Sequence, residues 1–152
     1  MRKQQWGLYI HIPFCRQKCF YCDFPSFAGR ERYEADYTDA LCRELAVQGV
    51  LYREKWGSPR TIYMGGGTPS LLPPRVIGHI MERLGRYFKL AHKAEVTLEA
   101  NPESLRGGHR VTQYLEAGIN RLSIGIQSLD DSMLRMLGRP HKAQDSLHAA
   151  FL

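Results

Sequence analysis

The sequence predicts an α/β fold, a parallel sheet carrying helices on its outside, and three observations lead there. Four short apolar runs, at residues 8–12, 61–64, 95–98 and 121–126, have the length and composition of buried strands. The segments between them carry helical periodicity and are long enough for the crossovers that parallel strands require. The chain is 152 residues long, 43% hydrophobic and 24% charged, which suits one domain with a core of its own. An open doubly wound sheet and a barrel both fit this alternation.

Taken in order, the first strand, 8–12, runs straight into a cluster of cysteines. A helix over about 31–55 follows, with Tyr33, Tyr37, Leu41 and Leu45 at four-residue spacing. The second strand, 61–64, ends on three glycines, and the helix of 73–88 places Ile77, Ile80, Met81 and Leu84 on one face. After the third strand, 95–98, Pro102 and Glu103 open a third helix that Gly118 closes. The fourth strand, 121–126, leads to Asp130 and Asp131, whose charge suits the start of a fourth helix. Residues 146–152 have the pattern of a helix interior without cap or polar tail, and a parallel sheet stopping there leaves its last strand with a bare edge. The chain therefore reads as truncated, with about four β/α units.

No stretch approaches the apolar length of a transmembrane helix, and residues 1–6 lack the apolar core of a secretory signal. A cytoplasmic or comparably reducing location is expected. The net charge of +6 comes from scattered Lys and Arg, with only short clusters at 16–18 and 30–32, so the pattern speaks against nucleic acid and fits an anionic small molecule.

Cys15, Cys19 and Cys22 form a C-x3-C-x2-C run directly after the first strand. In a reducing compartment such a cluster reads as a metal or redox site before it reads as disulfides. Three thiolates on one loop can wrap a cubane iron-sulfur cluster, leaving one iron open to a non-protein ligand. Structural zinc wants four ligands, usually as two pairs, and no second pair is present; His11 lies on the strand with Pro13 between it and the loop. Cys42, apart from the trio, reads as a small buried hydrophobe. Gly65, Gly66 and Gly67, followed by Thr68, Pro69 and Ser70, allow backbone to approach a ligand or form a tight turn, and no Gly-Lys-Ser/Thr follows to make a phosphate loop.

These motifs are similar to those of the radical-SAM superfamily. Five ordered segments, LYIHIPFC (8–15), GGGTPS (65–70), LEANP (98–102), NRLSIGIQS (120–128) and LGRPH (137–141), resemble the N-terminal half of the HemW family of haem chaperones, relatives of the oxygen-independent coproporphyrinogen III oxidase HemN. The resemblance implies a partial (β/α) barrel, with residues 1–152 as the N-terminal part of its core domain and the rest of the barrel and a C-terminal domain absent. It implies a [4Fe-4S] cluster on Cys15, Cys19 and Cys22, with S-adenosyl-L-methionine on the open iron. Tyr9 matches a contact to that cofactor on the first strand, and Tyr21 an aromatic whose backbone meets the adenine. Gly66, Gly67 and Thr68 match the segment facing the cofactor's amino-acid part, Glu99 a carboxylate near it, and Gln127 and Arg139 two further contacts. Strand C-terminal ends are where parallel α/β folds bind ligands, although Glu99 and Arg139 also suit a structural salt bridge.

In the oxidases a further cysteine stands two residues past the third ligand, where this chain has Phe24, and a longer segment precedes the first strand. Both departures favour the chaperone, a protein that binds haem and passes it to an acceptor protein; the alternative is an oxidase acting on coproporphyrinogen III in porphyrin biosynthesis. The implied haem site lies beyond residue 152. Trp6 and Trp56 read as packing or surface aromatics, Met64, Met81, Met133 and Met136 fall at core-like spacings, and His79, His92, His109 and His148 read as surface or helix residues.

Overall fold

The computed structural model describes residues 5–152. Strand β1 (Gly7–Ile12) is followed by two short strands, β2 (Phe14–Cys15) and β3 (Phe27–Ala28), and by helix α1 (Glu34–Trp56). Strand β4 (Thr61–Gly66), helix α2 (Pro74–Phe88), strand β5 (Glu95–Ala100), helix α3 (His109–Glu116) and strand β6 (Arg121–Ile124) complete the layers, with α4 (Asp131–Met136) and α5 (Ala143–Ala150) at the end. All four long strands are parallel, in the order β1-β4-β5-β6, with Tyr9 opposite Tyr63, Met64 opposite Leu98 and Ala100 opposite Ile124.

Sheet order equals chain order. Every crossover therefore steps the same way, and right-handed connections stepping one way put their helices on one face. That is the winding of a barrel segment; a doubly wound sheet reverses its order at a switch point. Side-chain alternation agrees. Ile10 and Ile12 of β1, Ile62 and Met64 of β4, and Val96, Leu98 and Ala100 of β5 enter one apolar core with Ile77, Ile80, Leu84 and Phe88 of α2. Tyr9, His11, Tyr63, Glu99 and Arg121 alternate with these core positions and lie on the opposite face of the sheet.

Several boundaries differ from the sequence expectation. The third helix is two pieces, a 3-10 turn at Pro102–Leu105 and then α3, because Gly107 and Gly108 take positive φ between them and end the first turn. The fourth strand stops at Ile124: the Gly125 N–H still bonds the Ala100 carbonyl, but Gln127 turns to φ 66° and leaves the ladder. α4 starts as expected, capped by Asp130, whose carboxylate accepts from the Ser132 and Met133 N–H groups; the Ser132 side chain and those N–H groups hold its carboxyl below the ordinary range. α4 is short, however, and leaves Met133 and Met136 44% and 70% exposed, so neither is a core residue; Met64 is buried and Met81 packs against the core. α5 ends at Ala150, capped by the Phe151 N–H on the His148 carbonyl, so residues 146–152 are not helical throughout. Cys42 sits on α1 half-buried, where desolvation pushes its thiol up. Trp6 packs against Phe88 and edge-on to Trp56.

Beyond β4 the chain makes a 3-10 turn, Pro69–Leu71, before α2. The Ser70 carbonyl of this turn and the Leu72 carbonyl just past it share the buried hydroxyl of Tyr114 on α3, at 2.8 and 3.1 Å, and Arg110 Nη1 also lies 3.4 Å from the Ser70 oxygen. Burial pushes the Tyr114 phenol up, so it remains a donor. A Tyr114→Phe substitution keeps the ring and removes the donor, leaving buried carbonyls underbonded; urea denaturation should show a loss of about 1–3 kcal/mol.

Candidate functional site

The C-terminal ends of β4, β5 and β6, together with Cys15 of β2, open into one cavity of about 380 Å³. One wall is the cysteine loop, residues 16–26, which leaves β2 and returns at β3. Its base is closed by the parallel β2–β3 pair and by the Phe27 N–H on the Pro13 carbonyl at 2.7 Å. Cys15 is buried on β2, Cys19 and Cys22 are half-buried, and the Cys22 N–H turns back on the Cys19 carbonyl at 3.2 Å. The loop is tied across the cavity mouth to the end of α4: Gln17 Nε2 donates to the Gly138 carbonyl at 2.7 Å and the Phe20 N–H to the Leu137 carbonyl at 3.3 Å. Lys18 Nζ closes it from within, on Ser26 Oγ at 3.0 Å and on the Phe24 carbonyl.

The glycine segment forms the floor. Its amides reach across to the end of β1 and the start of β2, Gly67 N–H to the Ile12 carbonyl at 2.8 Å and Thr68 N–H to the Phe14 carbonyl at 2.7 Å. A Cβ on residue 67 would stand 2.5 Å from the Phe14 oxygen, so this crossing needs glycine. Gly66 has φ 118°, and a Cβ there would stand 2.5 Å from the His11 ring. The missing side chains are thus used by the protein itself. Gly66 N–H is spent as well, donating to Glu99 Oε2 at 3.0 Å.

Glu99, on β5, also accepts from the Tyr63 hydroxyl at 2.7 Å; burial pushes that phenol up and keeps it a donor. Four lone-pair sites on the carboxylate leave room for a further cationic donor. Arg139, three residues past α4, reaches back to the sheet: Nη2 donates to Asn101 Oδ1 at 2.6 Å and to the Gly125 carbonyl at 2.8 Å, and Nη1 lies 3.4 Å from Cys19 Sγ. Tyr21 faces the same space, its phenol raised by burial against the opposing pull of Arg139.

Of the residues singled out from sequence, Cys15, Cys19, Cys22, Tyr21, Gly66, Gly67, Thr68, Glu99, Gln127 and Arg139 line this cavity. Tyr9 does not. It lies lower on β1, stacked on Tyr63 at 6.1 Å, with its hydroxyl 3.2 Å from His11 Nδ1; the other nitrogen of His11 donates to the Pro25 carbonyl at 2.7 Å. Glu99 and Arg139 make no ion pair with each other. Sequence reasoning gave no role to Asn101, Ser123, Gln17 or Lys18, all on the cavity wall. For Asn101 the available signal was its place two residues after Glu99 at the end of an alternating strand.

The donor set fits an iron-sulfur cluster. Three free thiols face one cavity with no disulfide among them, and soft thiolates are the ligands such clusters take. Among the described residues no three His, Cys, Asp or Glu side chains close on a single metal-ion position. A cubane places each thiolate on a different iron, so its ligands need not share one point.

A profile of the radical SAM superfamily matches residues 9–151. The chain is 42% identical over 147 residues to the heme chaperone HemW of Escherichia coli K12, covering 96% of this chain and 38% of that one. It is also 42% identical over 146 residues to a mitochondrial protein of Bos taurus named radical S-adenosyl methionine domain-containing protein 1, covering 95% and 32%. Among solved structures, coproporphyrinogen III oxidase (HemN) from Escherichia coli, described as a radical SAM enzyme, superposes with a TM-score of 0.77 at 28% identity, over 94% of this chain and 32% of that one. The chain spans about a third of the length of these relatives.

Because Gly66 combines positive φ with the His11 ring at the position of its absent Cβ, Gly66→Ala should lower stability by roughly 1–3 kcal/mol in a denaturant titration. Adding His11→Ala should restore only the steric part. Unchanged stability in Gly66→Ala would return the glycine to a purely ligand-facing role.

Proposed function

The chain belongs to the radical SAM superfamily, and on that premise we propose that it forms the part of a HemW-like haem chaperone that holds a [4Fe-4S] cluster and S-adenosyl-L-methionine, the whole protein passing haem to an acceptor protein. The observation that carries the reading is the meeting of Cys15, Cys19 and Cys22 with Glu99, Gln127 and Arg139 around one cavity. When bound, the cluster supplies an electron-transfer centre with one iron free of protein thiolate.

The chain's own residues then do three things. The loop of 16–26, clamped at its base by β2 and β3, presents the thiols to the cavity. Glu99, already fixed by Tyr63 and Gly66, keeps lone pairs for an ammonium, and Arg139 and Gln127 offer donors to a carboxylate or hydroxyl, so that an amino-acid-like ligand is oriented at both charged ends. Tyr21 and Gln17, the latter tied to Gly138, stand on the cavity wall and narrow it toward solvent. A cluster of this kind belongs in the cytoplasm or an equally reducing compartment; among the described residues no helix is long and apolar enough to cross a membrane.

The likeness to HemN keeps a second reading in view, an oxidase of coproporphyrinogen III in porphyrin biosynthesis. Phe24 favours the chaperone: it stands on the cavity wall where the oxidases carry a further cysteine. Anaerobic reconstitution of the intact protein tests both. We expect Cys15→Ala, Cys19→Ala and Cys22→Ala each to abolish cluster formation, read as iron and sulfide per chain, and Cys42→Ala to retain it. The wild-type protein should bind haem and give no decarboxylated porphyrinogen with S-adenosyl-L-methionine and reductant. Turnover of coproporphyrinogen without haem binding would reverse the assignment.

A further inference from the structure

Three side chains, Arg139, Asn101 and Thr68, join in a hydrogen-bonded line that runs along the cavity wall and ends on two of the three cysteines. Arg139 Nη2 lies 2.6 Å from Asn101 Oδ1, Asn101 Nδ2 lies 3.2 Å from Thr68 Oγ1, and Thr68 Oγ1 lies 3.9 Å from Cys15 Sγ; the other arm of Arg139 lies 3.4 Å from Cys19 Sγ. The direction of each bond follows from chemistry. A guanidinium only donates, so the atom of Asn101 facing it is the carbonyl oxygen and the amide faces Thr68. An amide nitrogen only donates, so the Thr68 hydroxyl accepts there and its own proton is left to point at Cys15.

We propose that Asn101 is a positioning residue for the cluster ligands: by accepting from Arg139 and donating to Thr68, it aims one N–H at the Cys19 sulfur and one O–H at the Cys15 sulfur. This rests on the reading of Cys15, Cys19 and Cys22 as cluster ligands. Alternative partners are few. Among the described residues, Arg139 Nη2 has one other acceptor, the Gly125 carbonyl, the Tyr21 phenol also stands within reach of the guanidinium, and Thr68 Oγ1 is buried with no acceptor but Cys15. Donors aimed at thiolate sulfur spread its negative charge and stabilise the reduced cluster more than the oxidised one. They thereby raise its potential and hold the iron.

The experiment compares wild type, Asn101→Ala, Thr68→Val and the double variant of the intact, anaerobically reconstituted protein. Midpoint potential is followed by electron paramagnetic resonance, and iron retention is followed against a chelator. Wild type should hold a cluster. Asn101→Ala should lower the potential and weaken iron retention by roughly 10–100-fold, the usual cost of losing an outer-sphere partner. Thr68→Val keeps the shape and loses only the O–H, and should lower the potential by less. The double variant should match Asn101→Ala, because both changes break one line and their effects do not add. If Asn101→Ala does not fold, the lowered potential of Thr68→Val still carries the test. A wild-type cluster with variant potentials unchanged or strictly additive would overturn the positioning role alone, whereas wild type binding no cluster would overturn the site reading with it.

Discussion

The site depends on one close crossing, where the exit of β4 passes under the exit of β1. The two short amide bonds from Gly67 and Thr68 to the carbonyls of Ile12 and Phe14 set the depth of the cavity floor. They also fix where β1 hands over to the cysteine loop, since Phe14 is the first residue of β2. Thr68 comes under Cys15 and Gly66 beside Glu99 by the same crossing. An ordinary Cβ at residue 67 would push the Phe14 carbonyl away and part the floor from the loop. The chemistry of the wall is therefore subordinate to a backbone contact.

The helices contribute at a distance. With sheet order equal to chain order, α1, α2 and α3 lie on one face and leave the other for polar side chains. α4 and α5 are used differently. α4 returns the chain so that residues 137–139 can meet the cysteine loop, and α5 is fastened to the turn after β5 by Arg106, whose paired N–H groups reach both oxygens of Asp145 at 2.9 and 2.8 Å. That guanidinium holds the Asp145 carboxyl below its ordinary range. The cysteine loop is thus tied to residues 137–138, and α5 to the segment after β5, by contacts between positions far apart in sequence.

Much of this was legible in the chain. The strands and α2 announce themselves by period, because their burial is one-sided or complete over whole turns. The meeting of the three cysteines at one cavity is legible because close spacing on one loop is a local property. What was not legible is long-range or very short. β2 and β3 have two residues each, too few for any period, and their pairing is set by the loop they close. Asn101 carries no local signal of its contacts, because its partners Thr68 and Arg139 lie 33 and 38 positions away. Tyr9, whose match is to a cofactor contact, stacks on Tyr63 and does not line the cavity, a placement set by strand register that local sequence does not carry. The glycines were legible as a close approach; that the approaching groups are His11 and the β1 backbone was not.

The nesting of His11 over Gly66 also bears on which of the two positions can accept a different residue. His11 is held by hydrogen bonds to Tyr9 and Pro25, and any planar ring of similar size with a donor at its far edge would satisfy the same neighbours. Gly66 has no such latitude, because its backbone angle would penalise a side chain even if the ring above it vanished. The two positions touch, yet they tolerate change unequally: a substitution at 11 meets only side-chain and carbonyl partners, whereas one at 66 meets its own backbone angle as well.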